Sequence, residues 1–216
     1  MPVKTEAKYT ADRDQYVNMT NATWSGCRGD SSTSGTSIST TALSYNWAVR
    51  VSYTSRFGGL YFCTRSFFEW DPIAPLHGGH INFARFTIYG DKAGGSETIC
   101  YDVRAILCDS ALASTTADYG NIFNGLGYIE ALSEPVTISS TSEQLWTFDF
   151  TEHGMKLIQQ KIYNEEKITI ALINEVDYDN VAPSGGVNHK FYYEDSTYDP
   201  VLALEWCAAP MLGSNF

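Results

Sequence analysis

The chain has 216 residues and a formal net charge of −11, with a pI near 4.7. That length suits one large β-sandwich or at most two small domains. The acidic balance, with no basic run, repels phosphate backbones and anionic lipid and so argues against nucleic-acid binding and membrane docking. Hydrophobic residues make up 44% and aromatics 14%, enough for a core and rich in side chains that favour strands. The start, MPVKTEAKYTADRDQY, lacks the apolar segment of a signal peptide, which fits either a leader already removed or synthesis in a cytosol, and no run of about 18 apolar residues is present, so no membrane span is expected.

Residues 1–14 read as an N-terminal arm, and the sandwich proper as residues 15–207. A first strand is expected near 15–19. The stretch SSTSGTSISTTAL at 31–43 reads as an exposed excursion. A second strand follows near 47–54, where Trp47, Val49, Val51 and Tyr53 alternate. In GLYFCTRSFFEWD at 59–71, Leu60, Phe62, Phe68 and Trp70 share one face with Thr64 and Ser66 between them, the pattern of a half-buried strand ended by Pro72 and Pro75. Residues 81–89 place Ala84, Phe86 and Ile88 together, with Gly90 and Gly94-Gly95 marking a turn. Residues 97–107 place Tyr101, Val103, Ala105 and Leu107 on one face. An irregular stretch covers 108–133.

WTFDF at 146–150 is the next strand. Thr151 is placed to cap a short helix over 152–164, with Met155, Ile158 and Ile162 at i, i+3 and i+7. KITIALI at 167–173 is the clearest central strand, with Ile168, Ile170 and Leu172 on one side. A polar loop, DYDNVAPSGG, leads to strands at 190–193 and 201–206, and residues 208–216 form a C-terminal tail. Roughly eight to ten strands without alternating helices point to an all-β, antiparallel two-sheet, jelly-roll-type sandwich with one short helix. Phe68, Trp70, Phe86, Ile88, Ile170 and Leu172 are its expected core.

The order of RSFFEWD at 65–71, INFARFTIYG at 81–90, WTFDFT at 146–151 before a short helix, KFYYED at 190–195 and PVLALEW at 200–206 resembles the DNRLRE-type β-sandwich domains. Arg65, Phe68, Trp70 and Asp71 match the first motif of that family. Ala84, Phe86, Ile88 and Tyr89 match the second, Asp149, Phe150 and Thr151 the third, and Pro200, Leu202 and Leu204 the last. The resemblance covers about residues 14–206. It implies a carbohydrate-binding or structural module at a surface, and no catalysis. The chain departs from the family in its long 108–133 stretch and in Glu194 and Asp195, which only approximate the closing acidic motif.

The chemistry-bearing residues form no catalytic signature. Five cysteines, Cys27, Cys63, Cys100, Cys108 and Cys207, are odd in number and contain no CxxC pair, so free thiols are expected. His77 and His80 in HGGH lack a third ligand nearby, and no metal or other cofactor is expected. Asp177, Asp179 and Asn180, and again Asp195 and Asp199, read as solvated acidic loops, since the D-x-D-x-D-G spacing of a calcium loop is missing. Arg28-Gly29-Asp30 spells a receptor tripeptide that chance readily produces. Asn18-Met19-Thr20 and Asn21-Ala22-Thr23 are glycosylation sequons. Tyr178, Tyr192 and Tyr193 flank polar loops and are the glycan-binding candidates, although alternation lets only one of the last two face outward. Met211, Leu212 and Phe216 in the tail are candidate contacts to a neighbouring subunit.

The sequence thus points to a non-enzymatic virion-surface structural protein, made in a host cytosol. Its expected partners are other structural subunits and possible polysaccharide. A free-standing extracellular carbohydrate-binding module is the alternative, and a jelly-roll glycan lyase or hydrolase a third.

Overall fold

A computed structural model describes residues 4–39, 46–55, 58–75, 79–95, 102–191 and 199–207. The first half of the chain supplies β1 (Lys4–Thr10), β2 (Arg13–Asn21), α1 (Trp24–Arg28), β3 (Ser37–Ser39), β4 (Asn46–Thr54), β5 (Leu60–Trp70) and β6 (His80–Gly95). The second half supplies β7 (Asp102–Leu107), a 3-10 turn (Thr116–Ile122), β8 (Glu130–Ala131), β9 (Val136–Thr137), β10 (Gln144–Asp149), α2 (Glu152–Tyr163), β11 (Ile168–Asn174), α3 (Glu175–Tyr178), β12 (Gly186–Phe191) and β13 (Val201–Cys207).

Among the described residues every ladder is antiparallel. The hydrogen-bonded order β1-β13-β6-β12-β4-β5-β11-β7-β8 doubles back on itself, with β10 on β6 and β2 on β5, to give two antiparallel sheets packed as a sandwich. The main core lies between them. Phe86 is its aromatic centre, 5.2 Å from the ring of Phe68, 5.8 Å from Trp70 in an edge-on contact, and 6.0 Å from Phe148. Such edge and offset contacts add to the gain from burial alone. The six residues expected in the core are all buried there.

Helix α2 starts where the sequence places it. The Thr151 hydroxyl accepts from the Gly154 N–H, and Ile158 and Ile162 are buried, with Met155 packed beside them. Two further short helices, α1 and α3, and the 3-10 turn appear where no helix was expected. They cover a second cluster on the far side of β5 and β11, built from Val17, Cys27, Cys63, Phe67, Ile106, Tyr119, Ala171 and Ile173.

Three strand expectations change. Residues 4–10, read as part of an arm, are a strand paired along its whole length with β13, and residues 13–14 already belong to β2. Strand β6 runs through Gly90 to Gly95, because β12 pairs with its second half. Strand β5 is buried on both faces from Cys63 to Trp70 rather than half-buried, because the second cluster covers the face opposite the sandwich core. Residues 40–45, 96–101 and 208–216, on which parts of the expected excursion, the start of the strand expected at 97–107 and the expected tail fall, lie outside the described residues.

Trp70 is buried and donates its indole N–H to the carbonyl of Tyr9 at 3.0 Å. Trp70→Ala should lower stability by about 3–5 kcal/mol in urea unfolding followed by tryptophan-independent circular dichroism. A loss under about 1 kcal/mol would show that this end of the core is loosely packed.

Candidate functional site

Alternation along β5 divides the strand into two working faces. Cys63, Arg65, Phe67 and Glu69 point into the second cluster, while Phe62, Thr64, Ser66, Phe68 and Trp70 share the sandwich side. The two faces do different things.

On the first face, Arg65 is 0% exposed. Its Nε donates to Asp177 Oδ2 at 2.7 Å and its Nη2 to Asp177 Oδ1 at 2.8 Å, a two-pronged pair. The remaining donors reach the carbonyls of Tyr119 and Arg28, both at 2.8 Å, and the guanidinium lies 3.9 Å from the centre of the Tyr119 ring. Burial works against the Arg65 charge, but Asp177 together with Tyr119 and Cys63 outweighs it, and the guanidinium is held more firmly protonated than usual. One side chain thereby fastens β5 to α1, the 3-10 turn and α3 at once.

Asp177, read from sequence as solvated, is fully buried, because α3 turns it inward under the Asn174 cap and Arg65 neutralises it. Arg28 of the Arg-Gly-Asp tripeptide is held in the same network, donating from Nε to the Asp177 carbonyl at 2.8 Å. Asp30 accepts from Ser32 and Thr33 in its own turn. The tripeptide is therefore a structural joint, with its arginine anchored inward.

Glu69 anchors the other end of this face. It is buried and accepts from Arg13, Lys167, Thr169 and the Leu112 N–H. Asp118 closes the 113–121 stretch, accepting from Gln15, Asn121 and the backbone N–H groups of Ala113 and Thr115.

On the second face, β5 extends past the core into an open groove of about 330 Å³. Phe62 and Thr64 floor it. Tyr16, Asn18 and Thr20 of β2, Ser37 of β3 and Arg50 of β4 line its sides. Ladder register explains the convergence: Thr64 sits opposite both Asn18 and Arg50, and Phe62 opposite both Thr20 and Ser52. The Arg50 guanidinium lies 4.6 Å over the Phe62 ring, its Nε donates to the Ser52 hydroxyl at 3.0 Å, and burial pushes its pKa down. Asn18 accepts from the Thr64 hydroxyl at 2.6 Å and donates to Ser37 at 3.3 Å. The groove thus presents flat ring and guanidinium surfaces beside an amide and several hydroxyls.

The candidate Tyr178 sits elsewhere. It is partly buried at the end of α3, with the Arg104 guanidinium 4.3 Å over its ring, and Arg104 is itself paired with Glu175. With Arg28, Gly127, Tyr128 and Ile129 it lines a shallower hollow of about 280 Å³. Tyr192 and Tyr193, and the tail residues Met211, Leu212 and Phe216, lie outside the described residues. The groove residues went unnoticed in the sequence. Their signal was present: Thr64 and Ser66 break an otherwise apolar face, and Asn18 and Thr20, read as a sequon, sit in register with that break.

No known family's sequence profile matches the chain, and no curated protein matches it. Among the described residues, no three His, Cys, Asp or Glu side chains are placed to hold a metal ion, and no helix is long and apolar enough to cross a membrane. His80 and His153 are exposed and His189 is buried, while His77 lies outside the described residues. Cys27, Cys63, Cys108 and Cys207 are free thiols; Cys100 lies outside the described residues. Burial, then the nearby Asp177 charge, pushes Cys27 up to about 12, and the same causes raise Cys63 well above the usual thiol range.

Two outcomes follow. Asp177→Ala leaves Arg65 charged and buried without its partner, so it should cost about 3–5 kcal/mol in urea unfolding. The double variant Arg65→Met/Asp177→Ala should cost less than the two single losses added together, and strict additivity would mean the pair is not coupled. The Cys27 thiol is neutral in both folded and unfolded chains below about pH 9. Above that the unfolded chain ionises first, so stability should fall from about pH 9 towards about pH 12. Cys27→Ala should reduce that slope in pH-dependent unfolding, and an unchanged slope would refute its cause.

Proposed function

We propose that this chain is a non-enzymatic structural subunit of a virion surface that binds glycans through the groove between β2, β5 and β4. The groove carries the proposal. Its open shape admits a chain of sugar rings from the side, its ring and guanidinium surfaces suit the flat apolar faces of pyranoses, and the Asn18 amide with the Thr20, Ser37 and Thr64 hydroxyls suits their alcohols. Among the described residues, the side chains lining it are hydrogen-bonding and stacking groups and include no carboxylate.

Two further observations support the setting. The resemblance to DNRLRE-type domains points to polysaccharide-binding modules on surfaces. The buried free thiols suit synthesis in a reducing cytosol followed by display on an assembled particle. The same resemblance favours, as a second reading, a free-standing secreted carbohydrate-binding module. Particle proteomics separates the two: the chain should co-purify with intact virions, whereas recovery only from culture supernatant would support the secreted module.

Glycan-array screening followed by calorimetry on the best-binding oligosaccharide tests the groove. Phe62→Ala should weaken binding by about tenfold or more, as emptying a central aromatic contact does. Tyr178→Ala should bind as the parent does. Full-strength binding by Phe62→Ala, or no glycan bound at all, would overturn the reading.

A further inference from the structure

The first strand ends the sheet. Among the described residues β1 pairs only with β13, in an unbroken register from Lys4↔Cys207 to Thr10↔Val201. The next rung fixes which backbone groups face which way. Ala11 N–H donates to the Pro200 carbonyl at 3.0 Å, so odd-numbered residues of β1 turn their N–H and C=O towards β13. Lys4, Glu6, Lys8 and Thr10 therefore direct theirs to the outer edge. Glu6, Lys8 and Thr10 are also the exposed side chains of the strand.

A row of outward N–H and C=O groups is a template for another strand. An antiparallel copy of β1 can hydrogen-bond to it only in registers that set even-numbered residues opposite even-numbered ones. Centred on Glu6, such a pairing sets Glu6 against Glu6 and Lys4 against Lys8. Centred on Lys8, it sets Lys8 against Lys8. Centred on Ala7, it sets Glu6 of each copy against Lys8 of the other, matches Lys4 with Thr10, and overlaps the whole strand. Like charges directly opposite destabilise a ladder and opposite charges support it. A pairing centred on Thr5 sets Glu6 against Lys4 but overlaps only residues 4–6 of the strand. The edge is thus self-complementary over its whole length in the Ala7 register alone, and a two-fold axis through Ala7 closes the pair so that it does not run on into a filament.

We infer that two copies of this chain dimerise by antiparallel pairing of their β1 edges, centred on Ala7, with reciprocal Glu6–Lys8 contacts. Within one chain these two side chains already stand 3.6 Å apart, so the dimer completes an alternating square of four charges. The inference does not rest on the glycan reading, since the groove lies on β2, β4 and β5.

Sedimentation velocity on the full chain across a concentration series at low salt tests it. The parent should be dimeric. Glu6→Lys and Lys8→Glu should each be monomeric, with dimerisation weakened by about tenfold or more, and both should keep the parent's circular dichroism spectrum. Mixing the two single variants in equal amounts should restore a dimer. One variant then carries lysine at both positions and its partner glutamate at both, so every facing pair is again of opposite charge. The double swap Glu6→Lys/Lys8→Glu should dimerise alone. A monomeric parent, a dimer that survives either single swap, or a mixture that stays monomeric would each overturn the inference. Glycan binding by the monomeric variants reports on the groove separately.

Discussion

A buried guanidinium has to find a partner for its charge and for each of its N–H groups, and that requirement organises one whole side of this molecule. Arg65 sits in mid-strand on β5, fully enclosed, and it meets the requirement by drawing in Asp177 from α3 and the carbonyls of Tyr119 and Arg28. Each partner lies in a segment that has little regular structure of its own. Helices of four or five residues are not stable alone. Here α1 and α3 are held by a charge-assisted contact each, and the 3-10 turn by a carbonyl contact and the stacked Tyr119 ring. Glu69 repeats the device two residues on from Phe67, gathering Arg13, Lys167, Thr169 and Leu112. The irregular 108–123 stretch is thereby spread over the second cluster as a lid whose backbone is fastened by charges on the sheet.

The same strand serves the opposite face with the opposite chemistry. Phe68 and Trp70 enter the sandwich core, and then the pattern turns polar through Ser66 and Thr64 before Phe62. Where the core ends, this face opens into the groove. Because the odd residues of β5 are so firmly tied, the even residues are presented on a rigid strand, and a ligand meeting Phe62, Thr64 and their neighbours has little backbone to order on binding. The rigidity of the site and the burial of Arg65 are two consequences of one alternation.

Much of the architecture was legible in the sequence. Period-two patterns located β4, β5, the first half of β6, β7 and β11, strands were also expected where β2, β10 and β13 lie, and Thr151 with its i, i+3, i+7 stripe located α2 to within a residue or so. What escaped has physical reasons. The strand β1 is polar and carries alternating charge, so nothing local distinguishes it from an arm; its pairing with β13 decides. Gly90 and Gly94 read as turn residues, yet β12 lies alongside and makes the chain continue as strand. The burial of Cys63, Arg65, Phe67 and Glu69 opposite the core face defeats the inference of a half-exposed strand, since charged residues normally mark solvent. For Asp177 the expectation of a solvated loop fails for the matching reason: a carboxylate is tolerated inside only where a buried arginine awaits it, and Arg65 is 112 residues away in sequence. Thr64 and Ser66 mark a polar break in β5 that the sequence shows, but only ladder register joins that break to Asn18 and Arg50 and makes a groove of it.

On the proposed function, the even face of β5 meets the glycan and its odd face is structural. Amide chemical-shift mapping during titration with the array's best-binding oligosaccharide addresses it most directly. The predicted result is that the shifts concentrate on Asn18, Thr20, Arg50, Phe62 and Thr64, while amides around Tyr178, Arg28 and Asp177 stay still. Shifts centred on Tyr178, Tyr128 and Arg28, with the groove silent, would contradict it.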